Sequence, residues 1–312
     1  MITGGLRLTV GAALLAASVV VPGTAHAETT CTTTELPVPS DVYVAGLTGA
    51  GNGRIATHSW YDEAQAVWQN DVPHTVTFPQ ERLINGINSS GVLATSTETA
   101  AWRDEESLQP LPGKTKSFAW AINDGGEVLG HSGSTLVVWP ADSTTPRPLS
   151  GTGNGWWWSP RGIDDDGNAI GYVIAPGSKD TGYVWNRQGD RTELQLPPGD
   201  YEAQPLLIHG GRVFGMSMPE NDWSQTRWVE WNLQGQVVRL HDGDVRGAND
   251  AGDLLTNRRQ GPEVWVNGVL RADGRFDVLP EEVQPQVLTE NGDVYGFVYT
   301  QGSGRVVKVS CG

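Results

Sequence analysis

Residues 119–140 read AWAINDGGEVLGHSGSTLVVWP. Short apolar runs flank Asn-Asp-Gly-Gly, and a further run closes on tryptophan and proline. An Asx residue opens a type I turn, and a glycine three positions later takes the positive φ that closes it, so the first half is a tight hairpin. Val128-Leu129-Gly130 and then Leu136 to Trp139 extend it by two more strand segments. No 3.6-residue periodicity lasts long enough to support a helix.

The phrase recurs along the chain. INGINSSGVLATSTETAAW (84–102), RGIDDDGNAIGYV (161–173) with GYVWN (182–186), RGANDAGDLLTN (246–257) with EVWVN (263–267), and VLTENGDVYGFV (287–298) are close copies. LLIHGGRVFGMS (206–217) with WVEWN (228–232) and VAGLTGAGNGRIATHS (44–59) with AVWQN (66–70) are weaker ones. The turn glycines fall at 53, 91, 126, 167, 211, 252 and 292, with successive spacings of 38, 35, 41, 44, 41 and 40. A period of about 40 residues is one four-stranded propeller blade. The chain is therefore expected to be all-β: a seven-bladed β-propeller with four antiparallel strands, A to D, in each blade.

Strand A, the innermost, ends at Ile87, Ile122, Ile163, Leu207 or Leu288. Gly86, Ala121, Gly162 and Gly247 precede that position in four blades, as crowding near the axis demands. Strand C carries a recurring tryptophan, 68, 102, 139, 185, 231 and 265, suited to filling the wedge between blades. A short strand D follows, such as LQPLP (108–112) or TELQLP (192–197). The seventh unit stops after VVKVS (306–310) without one. TELPVP (34–39), which matches TELQLP, is the expected replacement, closing the last blade with the chain's own beginning and leaving no open edge. Cys31 and Cys311 lie beside that seam and are expected to form a disulfide.

Arg7, the apolar run Leu8 to Val21, and Ala25-His26-Ala27 form an export signal, so residues 1–27 are expected to be removed and 28–312 to form one secreted, extracellular domain. The apolar run is too short for membrane insertion. With 21 basic residues against 36 acidic ones, net charge −15, the chain is not expected to bind nucleic acid. Two cysteines are too few for a structural zinc site, and no cofactor or metal is expected.

Seven such units resemble a β-propeller, and the element Ala-x-Ile-Asn-Asp-x-Gly-x-Val-x-Gly is similar to the HAF-type repeat of exported bacterial proteins. The resemblance covers residues 34 to 311 and implies the fold and an extracellular setting. Propellers of this secreted sort also occur as subunits of antibacterial toxin particles docked on adaptor proteins, which makes a protein partner an expectation of the resemblance.

Few motifs point to chemistry. Asp164-Asp165-Asp166-Gly167-Asn168 has the composition of a calcium loop, but it occupies the turn that Asn-Ser-Ser and Asn-Asp-Ala fill elsewhere, and a turn is expected. His58 and His131 share one strand-B position, which other blades fill with many residue types. No catalytic spacing is legible, and an enzyme is not expected. Tryptophan is the informative excess. Trp60, Trp156, Trp157, Trp158 and Trp223 fall in B–C or D–A connections, which share one face of the ring, and Tyr61, Tyr201 and Arg258 join them. Trp, Tyr and Arg dominate protein–protein hot spots, and flat aromatics also stack on sugars. The expected function is non-catalytic docking of a secreted protein partner on this face. A glycan or cell-wall binder and an extracellular polysaccharide- or ester-acting enzyme are the alternatives.

Overall fold

In the computed structural model, which describes residues 30–312 apart from 60–63, 79, 98–99, 105–107, 114–115, 154–156, 175–178, 221, 260–263 and 301–302, all seven turn glycines adopt the left-handed region. Their φ values run from +72° at Gly211 to +90° at Gly91. Each turn joins strands A and B of one of seven four-stranded antiparallel sheets. Blade three is representative: Ser117–Ile122, Val128–Ser132, Thr135–Trp139 and Arg147–Pro148. Neighbouring A strands contact one another around the ring, so the blades surround an axial channel. Among the described residues the one helical element is a 3-10 turn, Trp223–Gln225, and no helix is long and apolar enough to cross a membrane.

The wedge between blades is filled as the repeat predicts in four places. Trp68, Trp139, Trp185 and Trp231 are fully buried and pair with the residue two positions after the turn glycine, Ile55, Val128, Ala169 and Val213. Each indole N–H donates to a carbonyl at the end of the preceding D strand: Pro37 (2.9 Å), Pro112 (3.1 Å), Ser150 (3.0 Å) and Gln195 (2.7 Å). Trp102 and Trp265 do not occupy this position, contrary to expectation. In blade two the partner of Leu93 is Asp104, a buried carboxylate paired with Arg82 (3.4 Å). Trp102 serves instead as a platform for the Arg82 guanidinium, 4.3 Å from its ring. In blade six the wedge residue is Leu270, opposite Leu254. Strand B there runs on to Arg259, which carries Trp265 to the far end of the ladder, 53 % exposed.

The N-terminal strand completes blade seven, in the order Cys31–Glu35, Ser303–Cys311, Val294–Thr300, Val283–Leu288. Its ladder begins three residues earlier than expected. Thr34 pairs with Lys308 and Glu35 with Val307, and Leu36 N–H donates to Val306 O (2.9 Å). Pro37 and Pro39 have no N–H to continue the ladder. Leu36 and Leu194, the leucines of TELPVP and TELQLP, are both buried to 3 %. The residues that follow them, Pro37 and Gln195, give the carbonyls that receive Trp68 and Trp231. Cys31 and Cys311 are direct cross-strand partners and are disulfide-bonded.

Turns are also tied across blades. Asn88 Nδ2 donates to Asn123 O (3.3 Å), Asn123 Nδ2 to Asp164 O (2.8 Å), and Asn249 Nδ2 to Thr289 O (3.2 Å). One residue on, Ser89 N–H donates to Asp124 Oδ1 (2.7 Å), Asp124 N–H to Asp165 Oδ1 (2.8 Å), and Asp250 N–H to Glu290 Oε2 (2.6 Å). The Asx residues therefore shape their own turn and bind the next.

Deleting residues 28–40 removes both the edge strand and the Trp68 acceptor. The melting temperature should fall sharply, and light scattering should show association through the exposed edge. Replacing both cysteines with alanine should cost less, at most about 5 kcal/mol in the chain-entropy model, because the strand still pairs. An unchanged melting temperature after the deletion would refute the closure.

Candidate functional site

Two surfaces could carry function, the loop face expected from sequence and the axial channel. On the loop face, Trp60, Tyr61 and Trp156 lie outside the described residues, and of Trp223 only the backbone, in the 3-10 turn, is described. Trp157 opens strand A of blade four (Trp157–Ile163) and is 76 % exposed. Trp158 turns the other way, because successive strand side chains alternate between faces. It packs on Tyr183 and Trp185 at ring distances of 5.7 and 5.8 Å, so it belongs to the core. Trp157 pairs with Ile174, 45 % exposed at the end of strand B. Tyr201 stands at the D–A entry to blade five, 37 % exposed.

Three residues that sequence reasoning missed share this face: Tyr43 (68 % exposed), in the entry to blade one, Trp265 (53 %) and Tyr299 (56 %), the last two at the B–C ends of blades six and seven. Among the described residues, every exposed large aromatic except Trp120 stands at a B–C or D–A connection. Trp265 could have been found by counting strand-B length rather than by matching tryptophan to tryptophan.

Arg258 lies over Phe276 (5.8 Å) and lines a groove of about 250 Å³ with Leu240 and His241 between blades five and six. Behind it Glu230 accepts hydrogen bonds from Arg212 (2.9 Å) and His241 (3.0 Å). Burial alone would raise the Glu230 carboxyl, but these two partners outweigh it and hold it at about 2.

The channel was not legible in the repeat. In six of the seven A strands the ladder slips by one residue at an equivalent position, a β-bulge that turns one extra side chain inward. The residues so placed are Asn85, Trp120, Arg161, Leu206, Arg246 and Gln286. Blade one has no slip, and there Thr48, a ladder residue paired with Ala56, lines the channel. All seven line two adjoining spaces of about 520 and 290 Å³ along the axis. Pro160, Pro205 and Pro285 directly precede the bulge in three blades, and proline inside a strand is the sequence mark of such an irregularity. Opposite stand Gly130, Gly171, Gly215 and Gly296 of strand B. A Cβ on Gly215 would meet Gln204 O at 2.2 Å, and one on Gly130 would meet Phe118 O at 1.9 Å. The small residue after two apolar ones is there to admit the bulged backbone.

Around the A–B mouth, Asp124, Asp165, Asp250 and Glu290 form an acidic rim. His209, Asp250 and Glu290 present ligand atoms within 4.8 Å of one another and could converge on a cation. In the structure they bond each other, His209 Nε2 lying 2.9 Å from Asp250 Oδ1. The Asp164 carboxylate is engaged by Asn168 through its N–H (2.8 Å) and side-chain amide, as a turn residue.

No known family model matches the chain, and no curated protein matches it in sequence. Solved structures are similar in fold alone. A Porphyromonas gingivalis dipeptidyl peptidase 4 superposes with a TM-score of 0.51 at 11 % identity, over 85 % of this chain and 57 % of that one. A puromycin-hydrolysing peptidase of Mycobacterium tuberculosis gives 0.57 at 14 %, over 85 % and 50 %. The chain thus spans about half of each peptidase. A chain of the mitotic checkpoint complex gives 0.56 at 11 %, over 97 % and 99 %.

Gly215→Ala should destabilise the protein by about 1–3 kcal/mol, read by denaturant unfolding, since a backbone carbonyl must move to admit the methyl. Glu230 gives a pH test. Its folded carboxyl binds protons less readily than its unfolded one, so its contribution is complete above about pH 4.5 and is lost as pH falls toward about 2. Glu230→Gln should remove that acid-dependent step from the unfolding free energy, and an identical pH profile in the variant would exclude the assignment.

Proposed function

We propose that this chain is an exported, non-catalytic binding protein that docks a protein partner on the face formed by its B–C and D–A connections. One observation carries the reading: Tyr43, Trp157, Tyr201, Trp265 and Tyr299, from five of the seven blades, all stand at connections on that face, while the opposite turns are short, polar and acidic. A rigid scaffold that holds variable aromatic connections favours recognition, since little side-chain freedom is lost on binding. Trp157 illustrates the point, because its strand is anchored by the inward Trp158. Two structures that share the fold over nearly their full length come from assemblies, the mitotic checkpoint complex and a BBS1N–ARL6DN complex. Docking within a larger secreted particle is the form of this function that the repeat resemblance favours. The seam disulfide fits an oxidising compartment.

Replacing Trp157 and Trp265 with alanine should abolish capture of the partner from culture supernatant while the far-UV spectrum stays native, each change costing about 2 kcal/mol or more of binding. Val238→Ser, on the outer edge of blade five, should leave capture intact. Capture that survives both tryptophan changes would show that another face works.

A further inference from the structure

Around the axis the residue at the strand A bulge changes in chemical type from blade to blade. We propose that the axial channel is a binding site for a small organic anion with a flat apolar body, an aromatic carboxylate in its simplest form, whose charged end meets Arg161 and whose body lies against Trp120. This goes beyond partner docking and does not depend on it.

Arg161 carries the assignment. It is half-buried on the channel wall. Its Nη2 donates to the Tyr172 hydroxyl (2.8 Å), and the guanidinium carbon sits 5.1 Å from that ring. These contacts hold it in place without neutralising it. Among the described residues it takes part in no ion pair, and its Nε is buried without an acceptor. A buried donor left unsatisfied is costly, about 1–3 kcal/mol, and calls for an explanation. The chain has 36 acidic side chains against 21 basic ones, yet none among the described residues pairs with this cation. Arg246, at the same position two blades on, shows the contrast, with Asp244 at 2.7 Å meeting its charge.

The surroundings supply the rest of the ligand. Trp120, one blade before Arg161, is 38 % exposed although it lies on the innermost strand. Leu206, one blade after, and Ile122, Ile163 and Leu207 form apolar walls around the same space of about 290 Å³. A planar fork in a space also lined by an aromatic ring and aliphatic side chains fits a carboxylate carried on a ring. The acidic rim of Asp124, Asp165, Asp250 and Glu290 repels such an anion at the A–B mouth, so the loop face is its route of entry.

Equilibrium dialysis of the full mature chain against 2-naphthoate, its neutral twin 2-naphthamide and the cation 2-naphthylmethylammonium tests the idea. The carboxylate should bind, and both twins should be weaker by about tenfold or more. Arg161→Gln should bring naphthoate down to the level of naphthamide and leave naphthamide unchanged. Trp120→Ala should weaken both. Arg246→Gln, in the same channel, should leave naphthoate within about twofold, since that charge is already met. If Arg161→Gln does not fold, the comparison of the three probes on the wild-type chain still decides. The proposal falls if naphthoate does not bind up to about 1 mM, if either twin binds as tightly, or if binding survives Arg161→Gln in folded protein.

Discussion

Four indoles, Trp68, Trp139, Trp185 and Trp231, each fill the gap between two blades and donate one hydrogen bond to the end of the preceding D strand. A propeller sheet twists, so adjacent blades diverge outward and leave a wedge that small side chains cannot fill. A large flat ring fills it, and its N–H fixes the angle by finding a carbonyl one blade back. At the seam the same contact runs from Trp68 to Pro37, in the segment that closes the ring. Blade one thus meets the closing strand of blade seven through the same contact that joins blades two to three, three to four and four to five. The disulfide adds a covalent tie to a geometry already determined by packing.

Where the rule lapses, another interaction takes its place. Blade two puts Asp104 in the wedge and pairs it with buried Arg82, itself stacked on Trp102. Removing one partner of such a pair would strand a charge in a dry environment, which makes the substitution as exacting as the tryptophan it replaces. Near the axis the constraint is different. Seven inner strands converge, and the bulge in six of them sends one side chain toward the centre at a position where no packing rule chooses its type. Stability is settled at the wedges and variety is permitted at the bulge. The aromatic loop ends have the same relation to the frame that holds them.

The turns show how one residue can answer to two demands. The Asx residue at the head of four A–B turns, Asn88, Asn123, Asp164 and Asn249, is explained by its own hairpin, as where Asn88 Oδ1 accepts the N–H groups of Ser90 and Val92. Its amide then reaches the next blade. Asp164 and Asp165 of the acidic string belong to this lattice as turn residues.

Blade number, turn positions, the identity of the closing segment and the cysteine pairing were all legible in the chain, because each follows from local chemistry repeated at a fixed interval. An Asx-to-glycine turn closes a hairpin wherever it occurs, and a missing fourth strand is visible as a missing phrase. The roles of Trp102 and Trp265 were not legible, because they depend on how far a ladder runs before its connection, and tryptophan itself is the same letter in a wedge or on a surface. Trp158 and Trp157 are likewise neighbours in sequence and opposites in space. The bulges left a trace in Pro160, Pro205 and Pro285 and the glycines facing them, but which side chains gather around Arg161 was decided only when seven distant segments met at one axis. Hairpins are local, so the sequence by itself determined the blades; the channel is made by contacts between blades, and only tertiary structure could decide what it holds.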